Sequence, residues 1–278
     1  MPLSVQTNLY SLAAQNALST NTANLAQSFE QLSTGYKINS AADDAAGLAI
    51  VNTLTGQING QNQAAQNTQQ GINLVQIADG ALATIQNNLQ RIRELAVQAA
   101  NDTNGSSQRT SIKDEIASLK TEIDQIANST TFNGKHLLNA SAPTTYRIQV
   151  GANHTASQDT INIGSGLGNA KASALGLGSV AVSTNSAAET FLATVDTALN
   201  NLSTKRATLG AEQNRLTAAL GNLSSLTQNY TSARSGIQDT DIAAATASLT
   251  RNQILQQAAA SVLVQANQAP SLALKLIG

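Results

Sequence analysis

Apolar residues recur along this chain at two periods, and the positions where the period changes mark its elements. Val75, Ala78, Leu82, Ile85, Leu89, Ile92, Ala96 and Ala99 alternate spacings of three and four. That is the seam of a helix packed on other helices, sustained for more than three heptads. A second seam runs Ile112, Ile116, Leu119, Ile123 and Ile126, and a third repeats every seven residues through Val195, Leu202, Leu209, Leu216, Leu223 and Tyr230. The Asn-, Ser- and Gly-rich run from Asn101 to Ser107 separates the first two seams as a helix-to-helix loop. Three stripes of this length have chiefly one another to cover them. The expected fold is therefore mainly α, a long antiparallel helical bundle or coiled coil built from both chain ends.

The pattern changes between the helices. Phe132-Asn133-Gly134 is a turn signal, because Asn-Gly accepts the positive φ of a tight hairpin. Tyr146, Ile148 and Val150 alternate with polar residues, as do Ile161 and Ile163, which predicts a small β-hairpin insert. Gly164 to Gly178 is Gly-rich and expected to be irregular, and Val180 with Val182 is expected to add a short strand. Gly164-Ser165-Gly166-Leu167-Gly168 loosely resembles a phosphate loop but lacks the closing Gly-Lys-Ser/Thr, so it is read as a flexible surface loop.

The two termini are helical but nearly uncharged. Residues 1–42 hold Glu30 and Lys37 alone, with Leu18, Leu25, Leu32, Phe29 and Tyr36 at heptad spacing. Residues 237–278 hold Asp239, Asp241, Arg251 and Lys275, with Ile242, Leu249 and Leu263 on a seven-residue lattice. Fixing one residue's backbone costs about 1–2 kcal/mol, and burying a Leu returns about 1.5–3. Stripes this thin leave a lone helix marginal. Copies of the same chain would cover them, so these ends are expected to order on assembly, through a polymerisation interface of Leu18, Leu25, Phe29, Leu32, Ile242, Leu249 and Leu263.

Composition supports self-association and removes other classes. Of 278 residues, 11% are charged and 3% aromatic, and the net charge is -1. Such a chain is neither a basic nucleic-acid binder nor an acidic disordered tail, and repulsion between copies is weak. Absence of Cys excludes disulfides, thiolate metal sites and Cys nucleophiles. The first basic residue is Lys37, so no cleaved N-terminal signal is expected. No run of 18 apolar residues predicts a membrane-spanning helix. Asp43 and Asp44, adjacent on a helix, point about 100° apart and are read as structural. His136 and His154 have no ligand partners at metal spacing. No catalytic, cofactor or metal site is expected. Triplets such as Asn139-Ala140-Ser141 and Asn153-His154-Thr155 are read as chance in an Asn-rich chain.

Longer runs carry a resemblance. Leu32-Ser33-Thr34-Gly35-Tyr36-Lys37-Ile38-Asn39-Ser40-Ala41-Ala42-Asp43-Asp44-Ala45-Ala46-Gly47-Leu48-Ala49-Ile50 closely resembles bacterial flagellin. Gln90-Arg91-Ile92-Arg93-Glu94-Leu95-Ala96-Val97-Gln98, Phe132-Asn133-Gly134 and the segment from Ile237-Gln238-Asp239-Thr240-Asp241 to Ala269-Pro270-Ser271 match in the same order. The resemblance implies inner terminal helices over 1–42 and 237–278, a helical rod over 43–136 and 186–236, and a short insert over 137–185. It implies a subunit of the extracellular flagellar filament, exported unfolded by the type III apparatus. The implied partners are further copies of the chain, cap and hook-junction proteins, and an export chaperone at the C-terminal helix. Arg91, Leu95 and Glu115 match the positions read by the flagellin-sensing toll-like receptor of animals. At 100° per residue, Arg91 lies about 120° and Leu95 about 80° from the seam centre, so both are expected outside the core. A hook–filament junction protein, a secreted translocator and an enzyme are the competing readings. The run from Arg91 to Gln98 favours flagellin over the first, and the lack of an apolar hairpin long enough for a bilayer disfavours the second.

Overall fold

The computed structural model describes residues 7–153, 155–164 and 166–277, and of residues 156 and 269–277 the backbone alone. His154 and Ser165 lie outside the described residues. The chain forms two compact units, one joining its two ends up to Gly56 and from Asn229, the other spanning Gln57–Gln228.

In the first unit, α1 (Leu9–Thr34) and α6 (Ile242–Ile277) run antiparallel, since Asn8 meets Ala266 while Ser28 meets Asn252. Gly35, at φ +76°, stops α1 in the left-handed conformation that glycine adopts without strain. Tyr36 then bridges Asp239, flanked by hydrogen bonds from the Lys37 N–H to the Gln238 carbonyl (2.6 Å) and from the Thr240 N–H to the Gly35 carbonyl (2.9 Å). The paired aspartates have separate structural tasks. Asp43 accepts the backbone N–H groups of Ser40 (2.9 Å) and Asn39 (3.0 Å), which hold its carboxyl below the usual range. Asp44 caps the next helix, accepting the Gly47 N–H at 2.9 Å. A side chain at Gly47 would collide with Ile38 and Asp44, so the glycine permits the close packing there.

That next helix, α2 (Ala45–Ala100), continues into the second unit, where α3 (Ser106–Ser129) and α5 (Asn185–Gln238) join it. Ion pairs of Arg93 with Asp196 (2.6 Å) and of Asp79 with Arg206 (2.8 Å) show α5 antiparallel to α2, and the Arg91–Glu115 pair (2.8 Å) with the bond from Arg109 to the Ala99 carbonyl (2.9 Å) shows the same for α3. The predicted seam from Val75 to Ala99 is wholly buried, as are Ile116, Ile123, Val195, Leu202, Leu209 and Leu216. The continuous apolar core runs from Ile72 to Leu216 and, among the described residues, includes none of either terminal helix.

Two hairpins follow α3. Strands β1 (Thr131–Phe132) and β2 (Lys135–His136) pair around Asn133 (φ +47°) and Gly134 (φ +75°), the predicted turn. Strands β3 (Tyr146–Gln149) and β4 (Thr160–Ile163) pair Tyr146 with Ile163 and Ile148 with Ile161. Between them the single turn α4 (Ala156–Asp159) ends at a buried aspartate whose carboxylate accepts the Thr155 N–H at 3.0 Å.

The Gly-rich segment corrects two expectations. Leu167, Ala170, Ala172, Leu175, Leu177 and Val182 are buried in the main core, so 164–182 is a strap rather than a flexible surface loop. Its backbone is tied at several points. The Gly168 N–H reaches the Leu137 carbonyl (3.0 Å), Ala172 N–H the Asp124 carboxylate (2.8 Å), and Lys205 and Lys120 donate to the carbonyls of Leu167 (3.2 Å) and Gly178 (3.0 Å). Gly166 lies so close to α5 that an added Cβ would sit 2.4 Å from Leu209. Val180 and Val182 form no strand; Val182 fills the core from irregular backbone instead. Asn139 is buried too, with its amide oxygen accepting the Ser141 N–H at 2.9 Å.

Beneath the strap lies Glu212, 6% exposed. One carboxylate oxygen accepts the Gly164 N–H at 3.3 Å and the other has no partner. Burial raises its pKa above the ordinary glutamate range, with the Gly164 N–H and Arg215 acting in the opposite direction. A carboxyl raised in the folded state favours folding most when protonated, and that advantage is lost as pH climbs from the unfolded value through the folded one. Glu212→Gln should therefore raise the melting temperature near neutral pH and flatten its fall between acid and neutral pH, read by thermal scans of both proteins. Gly166→Val should destabilise the second unit by about 1–3 kcal/mol, the usual penalty of overpacking, measured by urea unfolding.

Candidate assembly surface

The paired terminal helices meet along a heptad on each side. On α1 the covered positions are Ser11, Ala14, Leu18, Asn21, Leu25, Ser28 and Leu32, at alternating spacings of three and four. On α6 they are Ala245, Leu249, Asn252, Gln256, Ala259, Leu263 and Ala266. Small and amide residues alternate with Leu, and hydrogen bonds cross the seam: Ser11 to Asn267 (2.7 Å), Asn252 to Ser28 (3.1 Å) and Gln256 to Thr22 (3.3 Å). All the leucines in this seam are only half-buried. Two helices cannot enclose one another, and each leaves the flanks of its apolar stripe open.

The seven residues expected to form the interface accordingly fall into two groups. Leu18, Leu25, Leu32, Leu249 and Leu263 lie in the α1–α6 seam, whereas Phe29 (57% exposed) and Ile242 (54%) point outward. Leu9, Tyr10 and Leu12 on α1 and Ile254, Leu255, Val262 and Val264 on α6 are exposed as well. Heptad reading passed over these because they sit off the seam. What marks them is the lack of charge around them: Glu30 is the one charged residue of α1, and Arg251 and Lys275 are those of α6. Among the described residues, only Ile77 and Val97 of the second unit are comparably large, apolar and exposed.

Arg91, Leu95 and Glu115 are brought together on the second unit, but not as expected. Arg91 lies on the surface, donating to Glu115 (2.8 Å) and Glu94 (3.1 Å), and these two carboxylates, Glu115 foremost, raise its pKa. Leu95 is 1% exposed and belongs to the core. The angular estimate failed because α2 is covered on two sides here, by α3 and by α5, so the buried arc is wider than one seam.

Comparison with known proteins decides what such a surface belongs to. The bacterial flagellin N-terminal helical region matches residues 5–142, and the bacterial flagellin C-terminal helical region matches residues 192–277. The chain is 41% identical to a flagellin of Bacillus subtilis, over 97% of this chain and 98% of that one. The chain belongs to the bacterial flagellin family. A flagellin of Halalkalibacterium halodurans is 39% identical over 96% of this chain and 98% of its own length. The crystal structure of Bacillus cereus flagellin superposes with a TM-score of 0.51 at 35% identity, covering 57% of this chain and 88% of that one. As a member of this family the chain is a structural subunit of the extracellular flagellar filament and polymerises with copies of itself for motility. Neither the junction-protein nor the translocator reading finds support, and among the described residues no helix is long and apolar enough to cross a membrane.

Seam and outward residues should respond differently to charge. Ile254, 61% exposed, contributes little to the monomer, so Ile254→Asp should leave its circular dichroism unchanged while blocking elongation. Leu249→Asp should block elongation and also loosen the α1–α6 pair, visible as faster proteolysis of both ends.

Proposed function

We infer that α1 and α6 are the polymerising elements, each giving its seam to the other and its outward apolar face to neighbouring copies. The observation that carries this reading is the concentration of exposed large apolar side chains on the first unit. Isolated exposed residues are ordinary on a soluble protein, but a concentration of large ones on a nearly uncharged surface marks an interaction site. Repeated through two different patches that do not close a ring, such contacts generate an open helical polymer.

The same segregation suits export through a narrow type III channel, because the terminal helices hold no core of their own and gain burial only after arrival. This reading assigns the chain a structural role with no catalysis. Growth beneath a cap protein on a hook-junction base, and capture of α6 by an export chaperone, follow from the family and are supported here by the free apolar face of α6. Recognition by the animal flagellin-sensing toll-like receptor would rest on Arg91 and Glu115, which are exposed and preorganised by their mutual ion pair, while Leu95 supports them from below.

Negative-stain electron microscopy of monomer added to short filament seeds tests the assembly reading. Long uniform fibres are expected, and deletion of residues 1–30 should abolish them; persistent monomers or short closed rings would contradict it. For the receptor, Arg91→Ala should weaken binding of the receptor ectodomain about tenfold, as removal of a central arginine does at protein interfaces. Unchanged binding would remove Arg91 from the contact.

A further inference from the structure

A pocket of about 330 Å³ opens on the second unit where α2, the β1–β2 hairpin and strand β3 meet. Its walls are tied to one another. The Tyr146 hydroxyl donates to the His136 carbonyl at 2.8 Å, which joins β3 to β2. The Asn67 amide donates to the Gln149 carbonyl at 3.4 Å, which joins α2 to β3. The pocket is therefore formed before any ligand arrives, and its size is at the small end of ligand sites, roughly 300–1,000 Å³. That suits a molecule of one ring.

Three kinds of side chain line it. Leu74, Phe132 and Ile148 are apolar and continuous with the main core. Gln70 and Asn133 are exposed amides that meet no hydrogen-bond partner among the described residues. Lys135 and Arg147 are exposed cations, and unlike Arg91, Arg93 and Arg206 they hold no carboxylate. Among the described residues no acidic one lines the pocket, and α2 carries no titratable side chain from Gln57 to Ala78. The two positive charges thus stand uncompensated beside a concave apolar surface, an arrangement that attracts an anion.

We propose that this pocket binds an acidic sugar, a single pyranose ring carrying one carboxylate. The carboxylate pairs with Arg147 and Lys135, and the planar guanidinium is able to take both of its oxygens. The C–H face of the ring covers Phe132, whose negative π-face attracts it. The ring hydroxyls bond the amides of Gln70 and Asn133, which both donate and accept. Each simpler ligand leaves part of the lining unused. Inorganic phosphate would meet the cations and leave the apolar surface wet. A neutral sugar would leave both cations without a counter-charge. A fatty carboxylate would cover the amides unpaired, which costs free energy. The site does not depend on the assembly reading, since none of these residues lies on α1 or α6.

The test is an NMR titration of the full-length monomer with glucuronate, beside glucose and inorganic phosphate at equal ionic strength. Glucuronate should give saturable shifts at the side-chain amides of Gln70 and Asn133 and in the backbone of β1, β2 and β3. Glucose and phosphate should each bind at least about tenfold more weakly, lacking the charge-assisted contacts or the ring contacts respectively. Arg147→Gln and Lys135→Gln change exposed side chains, so circular dichroism should stay as in the unmodified protein. Each should weaken glucuronate about tenfold or more, the usual effect of removing a hydrogen bond to a charged group. Lys113→Gln, an exposed cation of α3 outside the pocket, should leave binding unchanged. Absence of saturable shifts would overturn the site, as would equal losses from Lys113→Gln and Arg147→Gln. Phosphate binding as tightly as glucuronate would reduce it to an anion site and reject the sugar. Glucose binding as tightly would remove the cations from recognition and reject the proposal as well.

Discussion

Two helices cannot bury each other, and the organisation of this subunit follows from that constraint. The α1–α6 pair presents a regular heptad on both sides, yet its leucines stay half-covered and Phe29, Ile242 and Ile254 face solvent. The second unit avoids the same predicament internally. It adds α3, two hairpins and the strap from 164 to 182, and encloses a continuous core from Ile72 to Leu216. The second unit thus holds its own core, whereas the leucines between α1 and α6 stay half-covered. Marginal stability makes this division workable, since a few side chains of unsatisfied apolar surface are comparable to the net stability of a domain.

Much of this was legible from the spacing of apolar residues alone. The seams through Val75 and Leu202, the turn at Asn133-Gly134 and the alternation of Tyr146 and Ile148, and of Ile161 and Ile163, are all local periodicities, and local periodicity is what helices and hairpins impose. The strap was not legible, because its burial depends on long-range partners: Leu137 and Leu138 after α3, Asp124 on α3, Lys205 and Leu209 on α5. Its glycines read as freedom, whereas Gly166 is required by a close approach. Leu95 failed for a related reason, since an angle measured from one seam takes no account of a second neighbour on the other flank.

The proposed assembly surface rests on the scarcity of charge more than on the heptad. Low charge points to both terminal helices, whereas the heptad picks out the positions that α1 and α6 use on each other. The outward positions have no repeat to announce them; only the scarcity of charge around large side chains does. Charge placement then runs through the whole subunit as one theme. Ion pairs such as Arg93–Asp196 and Arg206–Asp79 join α2 to α5 in the second unit, whereas α1 and α6 are nearly free of charged residues.

Amide hydrogen exchange on monomer and on assembled filament tests the central claim most directly. The account predicts strong protection of α2, α3 and α5 between residues 72 and 216 in both states. It predicts weak protection of α1 and α6 in the monomer, rising sharply in the filament. Terminal helices already as protected in the monomer as the 72–216 core, or still weakly protected within filaments, would contradict it.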